Sequence, residues 1–179
     1  MNLFLKQAIS NFRQTGALFK SSSFLSKKIT SFIPKTATNQ LIIELGPGSG
    51  AITKEILKTI SKDSELIVFE LNTFFCSELA KINDQRLTII NESATGIKHL
   101  KTSKKATCVV SSLPLASIPK TIKKDVFQES QNILAENGVI LQYQYSLLDY
   151  SFLKQLFTNV KIKFTLLNLP PSFIYVCRK

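Results

Sequence analysis

Between Gln40 and Arg178 the hydrophobic positions fall into short apolar runs separated by amphipathic stretches. The runs QLIIEL (Gln40 to Leu45), ELIVFE (Glu65 to Glu70), RLTII (Arg86 to Ile90), ATCVVS (Ala106 to Ser111) and VILQYQY (Val139 to Tyr145) have the length and β-branched content of buried strands. Between them the apolar residues recur at helical spacing. This predicts helices over 51–60, 72–82 and 120–135, the last ended by Asn137 and Gly138. Tyr150 to Phe157 reads as a further helix, and strands over Val160 to Leu167 and Phe173 to Arg178 close the pattern. Strands that alternate with helices predict a mostly parallel sheet wrapped on both faces, because parallel neighbours need crossover connections. The last two strands leave no room for a helix between them, so an antiparallel hairpin should end the seven-stranded sheet.

The first 36 residues have a different pattern. Phe4, Leu5, Ala8, Ile9 and Phe12 share one helical face, with Lys6, Gln7, Asn11, Arg13 and Gln14 opposite, and Gly16 ends that helix. A second helix is expected from the serine cluster Ser21 to Ser23 through Leu25, Ile29, Phe32 and Ile33 to Pro34, followed by the linker-like TATNQ. The expected organisation is one domain over 1–179, with a basic amphipathic helical segment at 1–36 and the α/β core at 40–179.

Composition narrows the setting. A chain of 179 residues with 44% apolar and 20% charged residues suits one folded unit. Cys76, Cys108 and Cys177 form neither an even disulfide framework nor a CxxC spacing, and His99 is the only histidine, so no metal site is expected and a reduced cytoplasmic setting fits. MNLFLKQAIS does not read as a secretory signal. The uncharged stretch Phe164 to Cys177 is shorter than the roughly 18 residues a membrane span needs, and it carries Pro170 and Pro171. The formal charge of +11 favours anionic partners. Before the first acid, Glu44, stand Lys6, Arg13, Lys20, Lys27, Lys28 and Lys35, and no acid follows Asp149.

The chemistry is concentrated in ELGPGSG, where the apolar run IIEL leads into Gly46, Pro47, Gly48, Ser49 and Gly50 and then an amphipathic helix. Glycines there let the chain turn tightly and let a ligand approach bare backbone. Glu70, twenty residues beyond Gly50, ends the second strand, where a carboxylate can accept from both hydroxyls of a ribose. A plain glycine turn beside a surface glutamate is the alternative, but strand, loop, helix and strand-end acid all agree on a cofactor site. The spacing is GxGxG, not the GxGxxG that seats a pyrophosphate, so a cofactor without phosphates fits better.

These residues resemble the class I methyltransferases that use S-adenosylmethionine, with a Rossmann-like core. Within that class the likeness is to bacterial phospholipid N-methyltransferases, which act on the amine of phosphatidylethanolamine. It spans FRQTGALFKSSSFLSKKI, ELGPGSG, FELN, VVSSLPLASIP and LAENGVILQYQY. The resemblance implies that Glu44 and the loop from Gly46 to Gly50 line the methionine and ribose part of S-adenosylmethionine. It further implies that Glu70 holds the ribose, that Asn72 and Ser93 meet the adenine, and that Leu71, Ala94 and Ser111 also belong to the cofactor site. The family usually has an acid where Ser93 stands, and serine accepts more weakly.

For the methyl acceptor, SSLPL follows the fourth strand at the carboxyl edge of the sheet, where open α/β folds bind ligands. Carbonyls and hydroxyls of Ser111, Ser112, Leu113 and Pro114 can orient an amine there, although a stiff apolar loop is the plainer reading. Tyr143 and Tyr145 should point to one face, where Tyr145 can stabilise a methylated ammonium by cation–π attraction and Tyr143 can equally pack in the core. His99, beside Lys98 and Lys101, reads as a solvated loop residue.

The acceptor expected is a phospholipid head-group amine at an anionic membrane surface, with the enzyme cytoplasmic and peripherally attached. The cationic first helix fits a lipid interface, and equally fits as a cover folded over the sheet. RNA is the alternative, since ribosomal adenine dimethyltransferases share a similar glycine motif and are basic. Those enzymes grip a flipped base with an asparagine or aspartate and then a Pro-aromatic pair, where this chain has SSLPL. An inactive cofactor-binding module, hinted at only by Ser93, is the third reading.

Overall fold

A computed structural model describes residues 23–35, 38–165 and 171–179. The helix expected over Phe4 to Phe12, the cations Lys6, Arg13 and Lys20, and Leu166, Leu167 and Pro170 lie outside the described residues.

Seven strands form one sheet: β1 (Leu41–Leu45), β2 (Glu65–Phe69), β3 (Leu87–Ile90), β4 (Ala106–Ser111), β5 (Leu134–Gln144), β6 (Asn159–Thr165) and β7 (Ser172–Arg178). Their order is β3-β2-β1-β4-β5-β7-β6. β1 to β5 run parallel, while β7 is antiparallel to both β5 and β6. This is the expected α/β doubly wound, mostly parallel sheet with a terminal antiparallel hairpin.

Both faces of the sheet are covered, which is why its inner strands are apolar at consecutive positions. On one face Ile42, Val68, Val110 and Leu141 pack with Leu25 and Ile29 of α1 (Ser23–Thr30), Ile52 and Ile56 of α2 (Ala51–Thr59), and Leu79 of α3 (Thr73–Ala80). On the other, Ile43, Phe69, Val109, Ile140 and Tyr175 pack with Val126 and Phe127 of α4 (Lys120–Ile133) and Leu153 of α5 (Tyr150–Leu156). The chain order reverses between β1 and β4, so their carboxyl ends diverge and leave the crevice typical of such sheets.

Three expectations on element bounds need correction. The long helix stops at Ile133, and Asn137 and Gly138 lie inside β5 instead of capping the helix. Ala106 faces Leu134 but Cys108 faces Val139, so a two-residue step on β4 meets a five-residue step on β5. The polar Glu-Asn-Gly stretch is therefore a bulge that restores the strand's register. α1 ends at Thr30, with Phe32 and Ile33 following in tight turns onto Ile29 and Thr30. Ala94–His99 forms a 3-10 helix that the apolar periodicity did not announce.

Candidate cofactor and acceptor site

β1 ends at Leu45 and the glycine loop begins in the crevice. The loop is fixed by backbone bonds from Gly46 N to Phe69 O (2.9 Å) and from Gly50 N to Pro47 O (3.1 Å). Gly46, Gly48 and Gly50 all have positive φ, at 71°, 55° and 78°. At Gly48 a Cβ would meet nothing within 4 Å, so the loop presents open, bare backbone. Pro47 is buried beneath it and Ser49 is exposed.

Glu70 follows β2 and is only 5% exposed. Its Oε2 accepts from Gly48 N (3.0 Å) and its Oε1 from Asn72 N (2.8 Å). The carboxylate thus ties the glycine loop to the start of α3. Burial raises its pKa above the ordinary carboxylate value, opposed by the backbone amides of Asn72 and Gly48. Each oxygen holds one amide and retains a further lone pair, enough to accept a pair of vicinal hydroxyls.

Glu44 lies on the α2 side of the loop, fully enclosed. Its Oε2 accepts from Thr53 Oγ1 (2.7 Å), and its Oε1 is buried with no hydrogen-bond partner among the described residues. Burial pushes its pKa up to about 8, with the Thr53 hydroxyl opposing and the nearby Glu70 charge adding to the rise. At neutral pH the group is therefore mainly a neutral acid. A folded-state pKa above the unfolded value favours the fold fully below pH 4.5, and that contribution disappears as pH rises through about 8. Glu44→Gln cannot ionise, so at neutral pH the cofactor-free variant should be more stable than the wild type by about 3 kcal/mol. The gap should close towards acid, as thermal unfolding across pH would show. Parallel pH profiles for the two proteins would refute the assignment.

Beside Glu70, Asn72 Oδ1 accepts from Phe74 N (3.0 Å) and caps α3, with Leu71 half-buried before it. Ser93 Oγ accepts from Thr95 N (3.3 Å) and Thr95 Oγ1 (3.1 Å), starting the 3-10 helix in which Ala94 is buried. The serine oxygen is thus engaged within its own turn. Glu92, which sequence reasoning passed over, places Oε2 against Gly96, 2.5 Å from where a Cβ would stand. It is an acid adjoining the position where Ser93 lacks one.

The loop after β4, from Ser111 to Pro114, is stitched to the glycine loop. Ser112 N donates to Leu45 O (2.9 Å), and the Leu113 side chain lies over Gly46, 3.1 Å from a Cβ built there. Ser111 Oγ accepts from Leu113 N (3.4 Å). Ser112 Oγ is buried without a hydrogen-bond partner among the described residues. Pro114 leads into a 3-10 turn, Leu115–Ser117, with Leu115 buried in the core. Tyr143 and Tyr145 do share a face, their rings 6.0 Å apart and edge-on. His99 is exposed at the far end of the 3-10 helix.

The profile of the ribosomal RNA adenine dimethylase family matches residues 12–160. The chain belongs to that family. It is an S-adenosylmethionine-dependent methyltransferase with the class I Rossmann-like fold. Over 182 aligned residues it is 30% identical to an ornithine lipid N-methyltransferase of Singulisphaera acidiphila, covering 98% of this chain and 94% of that one. Two solved structures share the fold. One is a precorrin-6y C5,15-methyltransferase from Geobacter metallireducens, with TM-score 0.71, 13% identity, and coverage of 89% of this chain and 90% of that one. The other is an rRNA methylase from Streptococcus thermophilus, with TM-score 0.66, 11% identity, and coverage of 90% and 98%.

The residues present fit this cofactor. A dinucleotide would need a phosphate cradle, whereas here a buried carboxylate stands beside the open backbone, which suits hydroxyls and repels phosphate. Among the described residues there is no group of three or more His, Cys, Asp or Glu side chains able to hold a metal ion. No helix among them is long and apolar enough to cross a membrane.

Proposed function

We propose that this methyltransferase acts on the head-group amine of a membrane lipid, of the phosphatidylethanolamine kind, while docked on an anionic membrane surface. The observation that carries the reading is the acceptor loop. A base-methylating site needs a side-chain amide or acid and an aromatic platform to grip and stack a flipped base. Here those places hold small hydroxyls, Ser111 and Ser112, and a leucine, Leu115, whose side chain is committed to the core. The name of the Singulisphaera relative agrees with a lipid amine.

Glu70 and the open backbone at Gly48 would hold the ribose and methionine part, and Leu71, Asn72, Ser93 and Ala94 would enclose the adenine. Bound there, S-adenosylmethionine supplies an electrophilic methyl group for in-line displacement by an amine lone pair. Ser112 Oγ, buried and unpartnered among the described residues, would accept a hydrogen bond from the acceptor amine, which needs its lone pair free and its N–H groups directed. Tyr145, just after β5, would stabilise the resulting ammonium by cation–π attraction. The loops after β1 and β4 exclude water by packing Leu113 on Gly46.

The rim of the site suits a bilayer. The turn directly after β5 exposes Leu147 (47%) and Leu148 (80%), although Tyr150 N to Leu147 O (3.0 Å), Tyr175 Oη to Ser146 O (2.9 Å) and the Lys123–Asp149 ion pair (2.6 Å) hold the turn firmly. Leucines held out by a fixed turn suit contact with the apolar layer beneath lipid head groups. Lys120 and Lys124, exposed in the first turns of α4, add cationic groups for anionic head groups.

With labelled S-adenosylmethionine and a mixture of phosphatidylethanolamine vesicles and total RNA, label is expected in the organic-solvent extract. Label confined to RNA would reverse the choice of acceptor, as the family's name would then predict. Binding to anionic vesicles should also weaken as salt rises, since surface charge is screened within about 10 Å at 0.1 M.

A further inference from the structure

Gln142 and Gln144 lie two residues apart on β5, so their side chains leave the same face of the sheet. Both are buried. Their amides converge on one oxygen: Gln142 Nε2 donates to Leu113 O at 3.2 Å and Gln144 Nε2 to the same oxygen at 2.8 Å. Gln142 Nε2 also donates to Tyr143 O (2.8 Å), so both of its contacts are to carbonyls and the amide orientation is fixed. A carbonyl oxygen has two lone pairs, and at Leu113 both are taken.

Two amides in a strand whose neighbours Leu141 and Ile140 are core residues are costly to bury, and packing alone would be served by leucines. Their effect is to seize Leu113 from one side while its side chain rests on Gly46 from the other. Ser112, the preceding residue, is tied through its N–H to Leu45 O and keeps its hydroxyl oxygen buried and unpartnered among the described residues. A buried hydroxyl without a partner calls for an explanation, and a ligand that donates to it is one.

We propose that Gln142 and Gln144 are positioning residues for methyl transfer: by capping the Leu113 carbonyl they withdraw it from the acceptor and fix Ser112 Oγ as the oxygen that receives the acceptor's N–H. This rests on the reading that the loop from Ser111 to Pro114 takes the acceptor. The cofactor seat is held by separate bonds, Gly46 N to Phe69 O and Gly48 N to Glu70, so the two amides should act on turnover and not on donor affinity.

The test replaces the donors with methionine, which keeps the side chain's length and removes its N–H groups. In Gln142→Met/Gln144→Met, transfer from labelled S-adenosylmethionine to phosphatidylethanolamine vesicles should lose about 10- to 100-fold in kcat, the scale of a small misplacement of reacting groups. KM for the vesicles and the calorimetric Kd for the cofactor should stay within about two-fold of wild type. Gln144→His, which restores an N–H of similar reach, should return kcat to within a few-fold. Should the double variant fail to fold, Gln144→Met alone is read by the same split. Unchanged kcat would overturn the proposal, and so would parallel losses of kcat, KM and cofactor affinity, which mean the amides merely support the core. Wild type and variants are assayed on total RNA alongside. If label enters only RNA, the lipid reading fails while the effect of the amides is still measured on that acceptor.

Discussion

Replacing Gly48 with valine should weaken S-adenosylmethionine binding by about 100-fold or more and leave the protein folded. At φ 55° a side chain costs about 1–2 kcal/mol in backbone strain, which a folded domain survives. Beyond Gly48 and its two chain neighbours, nothing lies within 4 Å of the new Cβ, so the branched side chain projects into the open face of the loop, where the proposed cofactor would lie against bare backbone. Gly50→Val provides the contrast. Its Cβ would stand 2.8 Å from Leu79 Cδ2, at φ 78°, so strain and overlap in the α2–α3 core should lower stability by several kcal/mol, roughly 2–5 together. Calorimetric titration with the cofactor and urea unfolding separate the two outcomes. Wild-type affinity in Gly48→Val would remove the loop from the cofactor site.

Glu70→Ala should raise the cofactor Kd by about 100-fold, because hydrogen bonds to a charged group contribute about 1.5–3 kcal/mol each. Two effects combine. The proposed ribose acceptor is lost, and the amides of Gly48 and Asn72 lose their shared partner, so the glycine loop and the start of α3 are no longer tied together. Glu70→Gln keeps a single acceptor oxygen and turns an N–H towards one of those amides, so its Kd should lie between wild type and alanine. Tight binding to Glu70→Ala would mean that the carboxylate is structural only.

The sheet was legible because its apolar runs are buried on both faces and interrupted by amphipathic helices of the right length. Even the antiparallel end could be read, since the interval from Thr165 to Ser172 is too short for a crossover. The bulge in β5 was not. Glu-Asn-Gly after an amphipathic stretch looks like a helix stop, and only pairing with β4 turns it into strand. The 3-10 helix escaped for a related reason, as Ala94–His99 has too few apolar positions for a period to register.

In the candidate site, spacing pointed to the glycine loop and Glu70 as partners, and the bond that joins them spans 22 residues and belongs to the fold. Glu44, expected to line the cofactor, has its side chain enclosed against α2, with one oxygen bonded to Thr53 and the other without a partner among the described residues. What sequence reasoning missed altogether was the convergence of Gln142 and Gln144 on Leu113, across 29 and 31 residues. A signal was present: two glutamines alternate with tyrosines in a strand that has neighbours on both sides. Polar residues at alternate positions of an inner strand must find partners.

Amide hydrogen exchange with and without S-adenosylmethionine locates the cofactor without depending on any substitution or acceptor. Exchange should slow in the segments 45–50 and 70–72, which carry the amides of Gly46, Gly48 and Asn72, while the turn at 146–149 stays unchanged. Protection that appears elsewhere and spares both segments would contradict the placement of the methyl donor on the glycine loop and Glu70.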